Sequence, residues 1–261
     1  MPIRGAAGDQ QAAAIGQACV RSGMMKSTYG TGCFLLQNLG TKFQLSKHDL
    51  ITTVAYQVGD VRHYAAEGSI YCAGAAMNWL RDGLQILDDS KQSAAMAASV
   101  EDNQGVYIVP AFTGLGAPYW DADARGLICG LSLGTTREHV VRALLESMAY
   151  QTHDLVSAIA ADTQVQLPSL RIDGGMAVND WMAQCLADIL NVKVERPVCT
   201  ETTALGAAYL AGIGSGCYRD LDEIADHWQP ERCFEPNMRA GRRAALLNGW
   251  REAVQRSLSS R

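Results

Sequence analysis

Leu170-Arg171-Ile172-Asp173-Gly174-Gly175 is the stretch that decides the fold class. Its first half is a short apolar strand, its glycine pair turns the chain sharply, and a helix pattern follows through Val178 to Leu190. Val192 to Val194 then reads as another strand and Thr203 to Ala211 as another helix. Working outward toward the N-terminus, the signals change to hairpins. Lys26 to Gln37 gives two extended stretches around Gly30-Thr31-Gly32, and Ile51 to Tyr56 pairs with Val61 to Ala66 across Gly59-Asp60. Hairpins followed by strand–helix alternation predict an α/β domain built on a mixed sheet flanked by helices.

The remaining segments fit that plan. Gln10 to Val20 is Ala-rich and helix-prone. Ala73 to Leu87 carries Ala76, Leu80, Leu84 and Leu87 at helical spacing. Val106 to Val109 is a short buried strand, and a long helix runs from His139 to about Ala160, opened by the capping pattern Thr135-Thr136-Arg137-Glu138. Leu247, Trp250, Val254 and Leu258 mark an amphipathic C-terminal helix. No repeat or low-complexity linker interrupts the chain, so one continuous domain is expected.

Composition narrows the function classes. The 261 residues are 48% hydrophobic and 19% charged, the balance of a globular chain able to bury a sizeable core. A net charge of -5 gives no general attraction to nucleic acid or to an anionic membrane, and no apolar run approaches a bilayer span. Met1-Pro2-Ile3-Arg4-Gly5 lacks the apolar core of a signal peptide. The 8 cysteines are widely spaced without a CxxC pair. Reduced thiols, a cytoplasmic location and no protein metal site are therefore expected.

Three stretches carry chemistry. In Ala7-Gly8-Asp9-Gln10-Gln11, Asp9 sits just ahead of a helix, where it can act as a general base or as the helix N-cap; local chemistry alone favours the cap. Ser27-Thr28-Tyr29-Gly30-Thr31-Gly32 can bring backbone amides close to an anion or be a plain hairpin. Asp173-Gly174-Gly175, with Asn179 one turn on, can seat a nucleotide or be a tight strand-to-helix turn. A base combined with two phosphate-approaching turns suits phosphoryl transfer, where catalysis is mostly positioning and charge stabilisation.

At this point the residues resemble the FGGY carbohydrate kinases, whose domains have the actin-like, ribonuclease H-like ATPase fold. The resemblance is carried by Gly126-Leu127-Ile128-Cys129-Gly130-Leu131, then His139-Val140 and Ala143-Leu144-Leu145-Glu146, and extends from Gly5 to about Arg256. Tyr29-Gly30-Thr31-Gly32-Cys33-Phe34, Thr113-Gly114-Leu115-Gly116-Ala117-Pro118-Tyr119-Trp120-Asp121 and the Gln10-Gln11 pair are similar to the glycerol-phosphorylating members. The resemblance implies that Asp9 is the catalytic base, that Gln10 contacts a substrate hydroxyl, and that Phe34 walls the glycerol site. It assigns Gly30, Thr31 and Gly32 to the β- and γ-phosphates of ATP, Gly74 and Asn78 to nucleotide contacts, and Gly174, Gly175 and Asn179 to the adenosine-binding turn. Asn78 departs from the Gln common among these members, and its shorter reach puts that contact in doubt.

Family members are much longer. The resemblance implies that residues 1–261 are the C-terminal, nucleotide-binding lobe, with residues 1–18 at the hinge to an N-terminal lobe. That lobe would carry another phosphate loop, an acidic residue for Mg2+ and most glycerol contacts. The expected partners are thus glycerol, ATP or ADP, the N-terminal lobe, and a homo-oligomer formed through exposed lobe surface. A non-catalytic nucleotide-binding scaffold, or a kinase for another polyol or ketose, remains open. Several conspicuous residues read as structural: His139 and His153 on a helix face, Trp120 anchoring a loop, Arg239, Arg242 and Arg243 in solvent, Asp88-Asp89 ending a helix, and Tyr218 to Trp228 as a surface loop with a short helix.

Overall fold

The computed structural model describes residues 2–165 and 167–259; the reading of Met1 lies outside them. In chain order the elements are α1 (Asp9–Gly16), β1 (Met25–Tyr29), β2 (Cys33–Gly40), β3 (Ile51–Val58), β4 (Val61–Ile70), α2 (Gly74–Asn78), α3 (Ser93–Ala98), β5 (Tyr107–Val109), β6 (Leu127–Cys129), α4 (Arg137–Thr163), β7 (Ser169–Asp173), α5 (Asp180–Leu190), β8 (Lys193–Pro197), α6 (Thr202–Ser215), α7 (Leu221–Asp226), β9 (Pro230–Phe234) and α8 (Ala240–Ser257). Seven strands form one sheet in the order β3-β4-β2-β1-β7-β8-β9, while β5 and β6 pair separately. The sheet is mixed as expected: β1 runs parallel to β7 and β7 to β8, and the other neighbours are antiparallel. Both hairpins form where the glycines announced them, with Tyr29 opposite Cys33 and Val58 opposite Val61.

Alternation along the strands separates two apolar layers. Met25, Tyr29, Cys33 and Leu35 join the large core under α4, α5 and α8, while Leu36 and Ala65 face the smaller cluster with Ala14 of α1. The long helix α4 runs through the large core and binds the sheet by a hydrogen bond between Thr152 Oγ1 and Tyr29 Oη, 2.7 Å. The C-terminal helix docks by its expected residues. Trp250 is buried, stacks on Tyr150 at 5.4 Å between ring centroids, and donates from Nε1 to Asp154 Oδ2 at 2.7 Å.

On the opposite face α1 lies against α6 with almost no side chain between them. A Cβ on Gly206 would stand 1.8 Å from Ala12 O, and one on Gly16 would stand 2.0 Å from Thr202 O. The segment ahead of α1 follows the same line, since a Cβ on Gly214 would meet Arg4 O at 1.8 Å. Glycine is required at these positions because only its missing side chain lets two backbones approach so closely.

Four local expectations are corrected. The first helix stops at Gly16, because Ala18 adopts a left-handed backbone at φ 52° and turns the chain toward β1. The helix expected over Ala73 to Leu87 is only α2 followed by a π-turn over Trp79–Gly83; Gln85 at φ 54° then breaks the helical course, although Leu87 is still buried. Asp89 opens a 3-10 turn by accepting from Lys91 N at 2.9 Å, so the acidic pair begins an element rather than ending one. The cap of α4 is Thr136 with His139, not Thr135 with Glu138. His139 Nδ1 lies 3.1 Å from Thr136 N and 2.9 Å from Thr136 Oγ1, which is why this histidine is buried.

The structural readings of other conspicuous residues match their surroundings. Trp120 anchors its loop by donating from Nε1 to Asp49 O at 2.6 Å. Residues 218–228 form a surface segment around α7, and its Trp228 lies over the Arg171 guanidinium, 3.5 Å from the ring centroid. All 8 cysteines are free. Burial pushes the thiols of Cys19 and Cys33 up to about 12, as expected of small apolar residues. Among the described residues no helix is long and apolar enough to cross a membrane.

Candidate active site

The glycine-rich turns singled out in the sequence converge on the end of β1. The β1–β2 turn is Gly30-Thr31-Gly32, and its carbonyls receive the first amides of the α2 segment. Gly74 N donates to Gly30 O at 2.9 Å, while Ala73 N and Ala75 N each donate to Thr31 O at 3.0 Å. These contacts leave the Thr31 side chain exposed and fix the shape of the turn. A Cβ on Gly74 would meet Gly30 O at 2.6 Å, so Gly74 contributes closeness; its amide is already engaged. Gly174, at φ 87°, packs on the same point, since a Cβ there would stand 2.5 Å from Tyr29 O. Gly74 and Gly174 therefore pack backbone on backbone against the end of β1 and its turn, where a Cβ would force the chains apart, while a Cβ on Gly30 itself would meet only Gly32 O at 3.9 Å.

Gly175 opens away from these contacts, with nothing within 4 Å of the position a Cβ would take. It lines a cleft of about 410 Å³ together with Ser90, Lys91, Ser93, Met176 and Asn179. Asn179 is tied into the frame as well as facing the cleft. Its Oδ1 caps α5 by accepting from Met182 N at 3.0 Å, and its Nδ2 donates to Ser93 Oγ at 3.0 Å. An amide NH2 has two hydrogens, so one donor remains for a ligand. Asn78 is the exposed last residue of α2, just before the π-turn.

Asp9 is the first residue of α1, and the N-cap position belongs to Gly8, which has no side chain to cap with. Asp9 is exposed, and its Oδ1 accepts from Gln10 N at 2.8 Å. Asp9 is therefore not the N-cap, but its carboxylate still satisfies the Gln10 amide of the first turn while facing solvent, where the helix dipole favours its charge. Phe34 is 38% exposed although it lies in a strand, so its ring is available as a wall.

Sequence reasoning missed the polar groups beneath these residues. Lys26 is fully buried on β1, and its Nζ donates to Gln10 Oε1, to Thr28 Oγ1 at 2.8 Å and to Phe34 O at 3.4 Å. Burial lowers the pKa of this ammonium, and Asp173 is the chief charge opposing that shift. Asp173 is itself buried, which pushes its carboxyl up, with Lys26 opposing. Its Oδ2 accepts from Gln17 Nε2 at 2.6 Å, while Gln17 Oε1 accepts from Trp228 Nε1 at 3.1 Å. Helix α1 is thus held at both ends, by Gln10 on Lys26 and by Gln17 on Asp173. The sequence did hold a signal: a lysine inside a short strand bounded by Met25 and Tyr29 needs buried partners.

A larger cleft of about 550 Å³, lined by Arg142, Trp181, Asp188 and Arg242 among others, contains none of the residues expected to bind substrate or nucleotide. Among the described residues no group of three or more His, Cys, Asp or Glu is placed to hold a metal ion.

The structure thus sets a solvent-facing carboxylate, closely packed glycine turns and an open cleft on one mixed α/β sheet. The C-terminal domain of the FGGY family of carbohydrate kinases matches residues 25–215, and the chain belongs to that family. It is 55% identical over 257 residues to a glycerol kinase of Gluconobacter oxydans, covering 98% of this chain and 50% of the relative. Glycerol kinase 2 of Thermotoga maritima is 56% identical over 258 residues, with 99% and 52% covered. The chain therefore spans about half the length of the curated relatives it matches. Among solved structures, Plasmodium falciparum glycerol kinase with ADP superposes with a TM-score of 0.90 at 40% identity, over 97% of this chain and 51% of that one. A xylulose kinase from Lactobacillus acidophilus shares the fold, with a TM-score of 0.81 at 22% identity.

Proposed function

We propose that this chain is the C-terminal lobe of a glycerol kinase and supplies the catalytic base and the ATP cradle for making glycerol 3-phosphate. The observation that carries the reading is the packing of Gly74 on the Gly30 carbonyl and of Gly174 on the Tyr29 carbonyl, which brings the two glycine turns together beside an open cleft. The named relatives favour glycerol among the substrates of the family.

Asp9 accepts the proton of the attacking glycerol hydroxyl, and its exposed position leaves one carboxylate oxygen free to do so. The Gly30-Thr31-Gly32 turn holds the β- and γ-phosphates, with the Thr31 hydroxyl as an added donor, and Gly74 is a nucleotide contact packed against that turn. Gly174, Gly175 and Asn179 seat the adenosine in the 410 Å³ cleft. Gln10 and Phe34 take the polar and apolar sides of glycerol. Asn78 lies at the α2 end of the same region with an amide of short reach. Magnesium, when bound with the nucleotide, would neutralise phosphate charge, with its acidic protein ligand coming from the N-terminal lobe. Residues 1–18 form the hinge to an N-terminal lobe that completes the cleft, because positioning is lost when only one wall is present.

The test is release of ADP from Mg-ATP and glycerol by this chain joined to an N-terminal lobe. Turnover is expected, and Asp9→Asn should lower it by about 10²- to 10⁴-fold while nucleotide binding persists. Absence of glycerol-dependent turnover, or full turnover in Asp9→Asn, would refute the proposal.

A further inference from the structure

We infer that Lys26 is a positioning residue of the polyol subsite, orienting the Gln10 amide so that its NH2 group, not its carbonyl oxygen, faces a substrate hydroxyl. The inference rests on the glycerol-kinase reading above.

An ammonium carries three hydrogens and no acceptor. Those of Lys26 are directed at Gln10 Oε1, at Thr28 Oγ1, 2.8 Å away, and at Phe34 O, 3.4 Å away. Only the oxygen end of the Gln10 amide can meet such a donor, since the reverse orientation would set N–H groups against a buried cation. Lys26 has no exposed surface, so water cannot substitute for a lost partner and the orientation is enforced. Gln10 Nε2 is left as the free end of the side chain.

That end determines the direction of the substrate hydrogen bond. A hydroxyl oxygen that accepts from Gln10 Nε2 keeps its own hydrogen, and Asp9 is the adjacent residue able to receive it. Gln10 N already steadies Asp9 Oδ1 at 2.8 Å, so one residue would serve base and substrate together. The bond from Lys26 to Phe34 O anchors the backbone of the apolar wall. One buried cation thereby sets both sides of the polyol site, although it touches no substrate itself.

A lysine that only neutralises the buried Asp173 or fastens β1 to α1 would behave differently under mutation. The test uses the complete kinase, this chain joined to an N-terminal lobe, with Lys26→Met, Gln10→Ala and the double variant. Lys26→Met should raise the KM for glycerol about tenfold, the size of one charge-assisted hydrogen bond, and leave the KM for ATP unchanged. The double variant should be no worse for glycerol than Gln10→Ala alone. An unchanged glycerol KM in Lys26→Met, or losses that multiply in the double variant, would overturn the inference. A parent enzyme without glycerol turnover would instead sink the functional reading. The Lys26–Gln10 contact is then read through Gln10→Glu, whose carboxylate still accepts from Lys26. It should leave Tm nearly unchanged beside Lys26 and lower it in the Lys26→Met background. Equal effects in both backgrounds would overturn the contact.

Discussion

Substituting Gly206 by alanine tests what holds α1, which carries Asp9 and Gln10, in place. On helix propensity alone the change should stabilise, because glycine inside a helix such as α6 costs roughly 0.5–1 kcal/mol relative to alanine. The structure reverses the sign. The new Cβ would stand 1.8 Å from Ala12 O, 2.7 Å from Ala12 C and 2.8 Å from Gly16 N, all inside the 3.4 Å at which ordinary contact begins. These are backbone atoms of α1, which cannot rotate aside as a side chain would. The helix must move bodily, and overpacking of this severity costs about 3 kcal/mol or more. For a chain of this size that is a fall in Tm of roughly 6–12 °C. Gly241, early in α8, is the control, since nothing lies within 4 Å of its Cβ position. Gly241→Ala should raise stability slightly, by about 0.5 kcal/mol. Thermal unfolding followed by circular dichroism compares the two variants under one condition. Because α1 carries Asp9 and Gln10, Gly206→Ala in the complete kinase should also lose turnover beyond its loss of stability. If Gly206→Ala melts with the parent protein or above it, the backbone contact is not what positions α1, and the reasoning is refuted.

Other outcomes follow from particular side chains. Asn179→Ala should weaken ADP binding in a calorimetric titration and also cost about 1 kcal/mol of stability, because the residue caps α5; unchanged affinity would remove it from the nucleotide site. Asp162 is opposed by its burial but is held ionised by Ser46, by Lys47 N at 2.8 Å and by His48 at 2.7 Å, and its pKa is lowered. A lowered carboxylate contributes stability that is present above its unfolded pKa, near 4, and is lost as pH falls through the folded value. Asp162→Asn should therefore flatten the acid limb of a Tm-versus-pH curve below about pH 4, and an unaltered limb would contradict this. Thiol labelling of the native protein should reach Cys199, Cys217 and Cys233 first, with Cys19, Cys33, Cys72 and Cys185 reacting only on unfolding. Early modification of Cys33 would contradict the packing of the β1–β2 hairpin into the large core.

The sequence by itself determined the mixed sheet, both hairpins, the long helix and the residues of the glycine turns. These are local properties: a period of two or of 3.6, a turn that needs glycine, an apolar run between breakers. It also held every residue of the proposed site, because the motifs are contiguous stretches. What it could not decide was where those stretches meet. Gly74 and Gly174 are far apart in the chain and meet the neighbouring carbonyls of Gly30 and Tyr29 only because β1 lies between β2 and β7. The first helix ends, and the helical course after α2 breaks, near left-handed residues, Ala18 and Gln85, whose residue types give no sign of that conformation. The role of Lys26 was hidden for the same reason. Strand alternation could turn it away from Met25 and Tyr29, but only the packing of α1 onto that face gave its charge a partner in Gln10.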